Sequence, residues 1–257
     1  MINLFKRKNK KINQEPQNEN SQTIYETLDS LNQKPKRLSK KSKIAIVATS
    51  LILAAAIAIG AFAFSLLYVK KDYQTVASFA NLSEPVQEST VGGITKNIDG
   101  YEVKIEFIAT YSIIGRVLEK QYYFPSSIIN KLSRYDLGIG WGVMSGHEYD
   151  DYITFKNNKQ RFLTYRYKTS LVDLLGSKEA FANSLSNNHV IHANDHVLKL
   201  LRNIKENQYI KIDGYLCNVT YANKRYSGSW TSSTVRTDHG DGACEIIYVT
   251  NVTWLKL

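Results

Sequence analysis

The chain has 257 residues, with 33 Lys and Arg against 23 Asp and Glu, a formal charge of +10, and an apolar share of 43% that includes 17 tyrosines but only two cysteines. That composition excludes wholesale disorder, collagen-like repeats and a small disulfide-stapled scaffold, and the length suits one domain with appendages. The charge is unevenly placed: residues 1–43 hold eleven basic and four acidic side chains, and the remaining 214 residues hold 22 and 19. The high isoelectric point therefore belongs to an N-terminal tail and gives no argument for nucleic-acid binding.

Within that tail, residues 9–22 are rich in Asn, Gln and Glu without an apolar period and read as largely disordered, while Ile24 to Leu31 has the pattern of a short helix capped by Thr23. From Ile44 to Val69 there are 26 consecutive uncharged residues rich in Ala, Ile and Leu. At about 1.5 Å per residue this stretch is long enough to cross a hydrocarbon core about 30 Å thick. Lys34, Lys36, Arg37, Lys40, Lys41 and Lys43 precede it and only Lys70 and Lys71 follow closely, so the positive-inside rule puts the N-terminus in the cytoplasm. A cleaved signal peptide ending near Ala61-Phe62-Ala63 is the competing reading. The long basic region and the apolar run continuing to Val69 favour an uncleaved anchor.

Residues 70–97 read as a stalk or linker, with Pro85 and Gly92-Gly93 breaking any pattern, and residues 98–257 as an exported α+β domain. Tyr101 to Thr110 alternates apolar with charged residues as a half-solvated strand does, and Val117 to Phe124 is its expected partner across a turn at Ile113 to Arg116. A helix is expected after Pro125, capped by Ser126 or Ser127 and ended before Gly138. Aromatic strands at 151–155 and 161–167 are joined through Asn157-Asn158, and short helical pieces follow at 171–175 and 178–185. Asn194-Asp195 caps the clearest helix after the anchor, His196 to Ile204, with Val197, Leu200, Leu201 and Ile204 on one face. Strands are expected at 209–221, 229–237 and 244–257, and Gly214 inside the first marks a bulge or kink. Together these predict a mainly antiparallel, strongly curved sheet, with a partial barrel as one way to build it.

Four stretches carry a resemblance: LGIGWGVMSG at 137–146, SNNHVIHAND at 186–195, YIKIDGYLCNV at 209–219 and WTSSTVRTDHGDGACEIIYV at 230–249. They resemble a set of uncharacterised bacterial single-pass envelope proteins with GWG, Asn-His and Gly-Ala-Cys-Glu segments. The chain departs from that pattern where such proteins often have Pro after the first motif and an apolar residue at the position of Cys217. The resemblance implies an exported unit reused in bacteria and supplies no activity. The layout of basic tail, single span and exported domain is similar to the bitopic scaffold subunits of type IV secretion machines, in architecture alone. The expected location is thus the bacterial inner membrane, with a periplasmic or extracellular C-terminal domain.

His189, His192 and His196 have a zinc-like spacing, but the cap signal at Asn194-Asp195 places them on different elements, so no metal and no cofactor is expected. Cys217 and Cys244 fall on two strands of one sheet, where either a disulfide or buried structural thiols are possible. The segment 236–243 concentrates Gly and Asp and reads as a β-hairpin tip. Its neighbours define an expected polar patch of Asn188, His189, Ser232, Ser233, Arg236, Asp238, Asp241 and Glu245, suited to a ligand or a protein partner. No nucleophile elbow, phosphate-binding glycine loop or Cys-x-x-Cys pair is present. Two functions follow as expectations: an interaction or scaffold module with protein partners in the envelope, or an anchored enzyme or ligand-binding domain using the polar patch.

Overall fold

A computed structural model describes residues 37–257 except 159 and 241, and divides them between two compact units that meet at residues 63 and 64. The expected tail helix at 24–31 lies outside the described residues. The first element is helix α1, Lys40–Leu67, whose stretch Lys40–Ser65 is the one described helix long and apolar enough to cross a membrane, with none of it buried in protein. Ser39 caps it by accepting from the Ser42 backbone N–H at 3.1 Å. The hydroxyls of Thr49 and Ser50 donate back to the carbonyls of Ala45 and Ile46, so the few polar side chains of the run leave no unsatisfied donor.

The second unit is α+β, built on an eight-stranded mixed sheet. Its strands are β1 (Asp72–Thr75), β2 (Val86–Ile98), β3 (Tyr101–Tyr122), β4 (Tyr135–Gly140), β7 (Leu185–His192), β8 (Tyr209–Ala222), β9 (Ser227–Trp230) and β10 (Glu245–Lys256). β5 (Ile153–Asn157) and β6 (Leu163–Tyr167) form a separate two-stranded ribbon. The helices are short: α2 (Ile128–Leu132), α3 (Thr169–Leu175), α4 (Lys178–Ala182) and α5 (Asp195–Asn203).

Two expectations about the sheet change. Residues 70–97 are no free linker: β1 pairs with β10 in parallel and β2 pairs with β3 along most of its length. The expected turn at 113–116 is instead the interior of β3, a single strand of 22 residues. Ile113 and Ile114 are β-branched and fully compatible with a strand, and Gly115 lies so close to the Gly140 carbonyl that a Cβ there would sit 2.5 Å from its oxygen. β10 pairs with β7 in parallel and with β8 in antiparallel, so the sheet folds back on itself. The eight strands do not together make a barrel: β1, β2 and β9 flank the run β10–β7–β4–β3–β8 and keep unpaired edges.

A bulge at Ile108 explains how one strand serves two cores. Before it Val103, Ile105 and Phe107 join a cluster with Ile191, Cys217, Val219, Ile246 and Tyr248; after it Ala109, Tyr111 and Ile113 join a cluster with Leu137, Val190, Leu216, Ile247 and Val252. One extra residue shifts the period-two alternation, so odd-numbered positions change face at that point. The opposing strand shows the same division without a bulge, Cys217 on one side and Leu216 on the other. Helix α5 closes the second cluster with Val197, Leu200 and Leu201. It is capped at its start by Asn194, which accepts from Val197 N–H, and at its end by Lys120, whose ammonium donates to the carbonyls of Leu201, Arg202 and Ile204.

The irregularity expected at Gly214 falls on its partner: β10 bulges between Val249 and Asn251, opposite Gly214 and Asp213. A Cβ at position 214 would collide with the Tyr248 carbonyl oxygen, so only glycine allows the two strands to close there. Gly214→Ala is expected to lower unfolding free energy by about 1–3 kcal/mol, read from the urea midpoint, because backbone on a second strand has to shift to admit the methyl.

Candidate functional site

β7 places Asn188 and His189 on consecutive positions of a strand, so the two project to opposite sides of the sheet and the expected patch divides. Asn188 shares its side with Val190 and is fully buried, donating to the Leu137 carbonyl at 3.0 Å and to Ser186. His189 lies on the other side, its Nδ1 2.9 Å from Asp136 Oδ1 and its ring 4.6 Å from that of Trp230. Asp136 is its register partner on β4.

On the Asn188 side, Arg236 reaches back from the segment between β9 and β10 to pair with Glu245, the first residue of β10, and to donate to the Tyr111 hydroxyl at 3.1 Å. Glu245 is 2% exposed. Its burial pushes the carboxyl up to about 8, with Arg236 pulling it down and Asp238 pushing it up. Burial and the Glu245 charge also push the Tyr111 phenol upward, so it stays a neutral donor or acceptor. The serines hold the same segment in place. The Ser232 hydroxyl accepts from Ile246 N–H at 2.9 Å and its own N–H donates to Asn218 Oδ1 at 3.1 Å, while Ser233 donates to Asp238 at 2.6 Å. This segment is no hairpin tip: β9 pairs only with β8, and residues 231–244 cross from one strand to another with left-handed glycines at 240 and 242. Asp241 lies outside the described residues.

On the His189 side the organiser is Arg161, which the sequence did not single out. Its left-handed φ of 69° in the β5–β6 connection turns the guanidinium inward, where it donates to Asp136 Oδ1 at 2.6 Å, to Asn130 Oδ1 at 3.0 Å and to the Ser133 carbonyl. The guanidinium stacks 3.9 Å over the Tyr123 ring and 5.5 Å from that of Trp230. The Arg161 carbonyl accepts from Asn187, which also donates to the Cys244 thiol at 3.2 Å. A cavity of about 390 Å³ opens here, walled by Arg161, Phe162, His189, Tyr221, Trp230 and Cys244. The one legible signal for this cluster was an acid, Asp136, inside the otherwise apolar run YDLGIG.

Cys217 and Cys244 are free thiols. Cys217 is sealed into the first apolar cluster, facing the Ile246 carbonyl at 3.5 Å, and Cys244 sits at the cavity wall held by Asn187, so of the two alternatives left open by the sequence the thiols are the one present. Burial pushes the two thiols up to about 12 and about 11, which leaves neither as a ready thiolate nucleophile. Among the described residues no three of His, Cys, Asp and Glu converge as a metal site. Comparisons with protein-family models, with curated proteins and with solved structures give no match.

Two titrations set the pH response. Glu245 holds its proton in the folded state up to about 8 and releases it near the ordinary 4.5 when unfolded, so its contribution is full below that value and is lost as pH rises toward 8. His192 acts oppositely. Burial, with Lys96 and Arg134 nearby, pushes it from 6.5 down to about 4, so stability is lost as pH falls through that window. Thermal midpoints of the full chain are expected to peak in mildly acidic buffer, and Glu245→Gln is expected to flatten the alkaline limb while leaving the acid limb intact. Arg236→Ala, which removes the donors to Glu245 and to the Tyr111 hydroxyl and leaves the carboxyl protonated, is expected to cost about 1–3 kcal/mol at both pH 5 and pH 8, measured by urea unfolding.

Proposed function

We propose that the chain is a single-pass membrane protein of a bacterial cytoplasmic membrane, N-terminus inside, whose C-terminal domain is an interaction or scaffold module of an envelope assembly. The observation that carries this reading is the spending of the polar side chains an enzyme would need. Ser232, Ser233, Asp238 and Asn188 are bonded to one another and to backbone, Arg236 pairs with Glu245 through one nitrogen, and both thiols are held protonated. The apolar helix supports the anchor, and the lysines and arginine around residues 34–43 support its orientation. Strand β2 supports an interaction role: it pairs on one side only, and Val86 and Val91 on it are 62% and 95% exposed, which suits addition of a partner's strand.

The alternative, an anchored enzyme or ligand-binding domain, draws on the cavity beside Arg161, His189 and Trp230. Co-purification of the tagged full-length protein from gently solubilised membranes separates the two. A stoichiometric partner, lost on Val91→Lys, is the expected outcome; a lone monomer or homodimer would overturn the scaffold reading and favour the cavity. For the topology, protease added to the outside of spheroplasts is expected to remove a C-terminal tag and spare an N-terminal one, and the reverse pattern would invert the proposed orientation.

A further inference from the structure

A second feature of the domain lies apart from both polar clusters. Along the end of β3 and the start of β4 runs a groove of about 580 Å³ walled by Lys120, Tyr122, Arg134, Tyr135 and Arg202. Tyr122 and Tyr135 are register partners whose rings lie 5.5 Å apart, and they form an aromatic floor. Lys120 stands 4.5 Å over the Tyr135 ring.

Three cations therefore face one groove, and among the described residues none of them has a carboxylate within ion-pair distance. The acids in the neighbourhood are otherwise placed. Glu206 accepts from the backbone N–H of Lys120, and Asp195 acts on His192. Lys120 has all three of its donors on the carbonyls of Leu201, Arg202 and Ile204 at the end of α5, so it offers the groove charge rather than a free hydrogen bond. Arg202 is exposed at the end of α5, and Arg134 has a buried Nε with no hydrogen-bond partner in the domain. Burial, and after it the charge of Arg202, pushes Lys120 down to about 8. Lys96 and Arg134 both act on His192 in the same direction, so the positive field extends beyond the groove.

We infer that this groove is a binding site for a phosphate-bearing ligand, held by the guanidinium groups of Arg134 and Arg202 over the two tyrosine rings. A guanidinium presents paired donors that match the oxygens of a phosphate, and two of them flanking a fixed ammonium give an anion more than charge alone. The exposed face of Tyr122 adds room for an apolar or sugar portion next to the phosphate.

The test uses the full chain in neutral detergent, titrated with inorganic pyrophosphate by calorimetry at constant ionic strength. Saturable binding is expected, weakened roughly tenfold by Arg202→Gln and again by Arg134→Gln, and unchanged by Arg225→Gln in the β8–β9 turn. Arg202 is exposed, so its glutamine variant keeps the core intact and remains informative if the Arg134 variant fails to fold. No binding up to about 10 mM, or equal weakening by all three substitutions, would overturn the site and reduce it to general positive charge. Repeating the titration in nanodiscs separates the sources of phosphate. Competition by phosphatidylglycerol and not by phosphatidylcholine identifies a lipid headgroup, and equal affinity in both identifies a soluble phosphorylated ligand.

Discussion

The domain depends on the continuity of β3. Its 22 residues pair with β2, β4 and β8, so one strand fixes the register of three others. The bulge at Ile108 lets it do this while supplying apolar residues to opposite sides of the sheet in its two halves. Without that one-residue shift the second half would turn Tyr111 and Ile113 away from Leu137 and Ile247, and a single core would be left half filled.

Polar residues follow the same division. β4 and β7 are buried along nearly their whole length, yet they carry Asp136, Ser186, Asn187, Asn188 and His189. Each side of the sheet therefore holds its own polar cluster, one centred on Glu245 with Arg236 and one on Asp136 with Arg161. In both, an arginine from a connecting segment enters to meet an acid on a strand and ties that segment to the sheet. Buried pairs of this kind add little net stability over apolar residues, but they strongly disfavour any register that separates them.

How much of this was legible follows from the physics of each segment. The apolar helix, α5 with its Asn194 cap, the β5–β6 ribbon and the long strands β8 and β10 all announce themselves through period and capping, which are local. β4 and β7 do not alternate, because both faces are buried and polar residues occupy core positions, so SNNHVIH reads equally as strand or loop. β1 and β2 are edges whose exposed, Gly- and Thr-containing sequences carry no apolar stripe. Of the candidate patch, residue types were legible but sidedness was not: Asn188 and His189 are neighbours in sequence and separated by the thickness of the sheet. Arg161, which shapes the cavity, had no local signal, since a single arginine in a turn gains its role only from tertiary partners.

β10 pairs with three strands that all precede it, β1, β7 and β8. As the chain leaves the ribosome, every one of those partners is exposed before the strand that joins them has been made. The fold is thus closed by β10, and until that strand is in place β1, β7 and β8 present open hydrogen-bonding edges to one another and to other chains. A sheet arranged this way locks in one step, when a single strand joins three at once, and depends until then on those edges being kept apart from other chains.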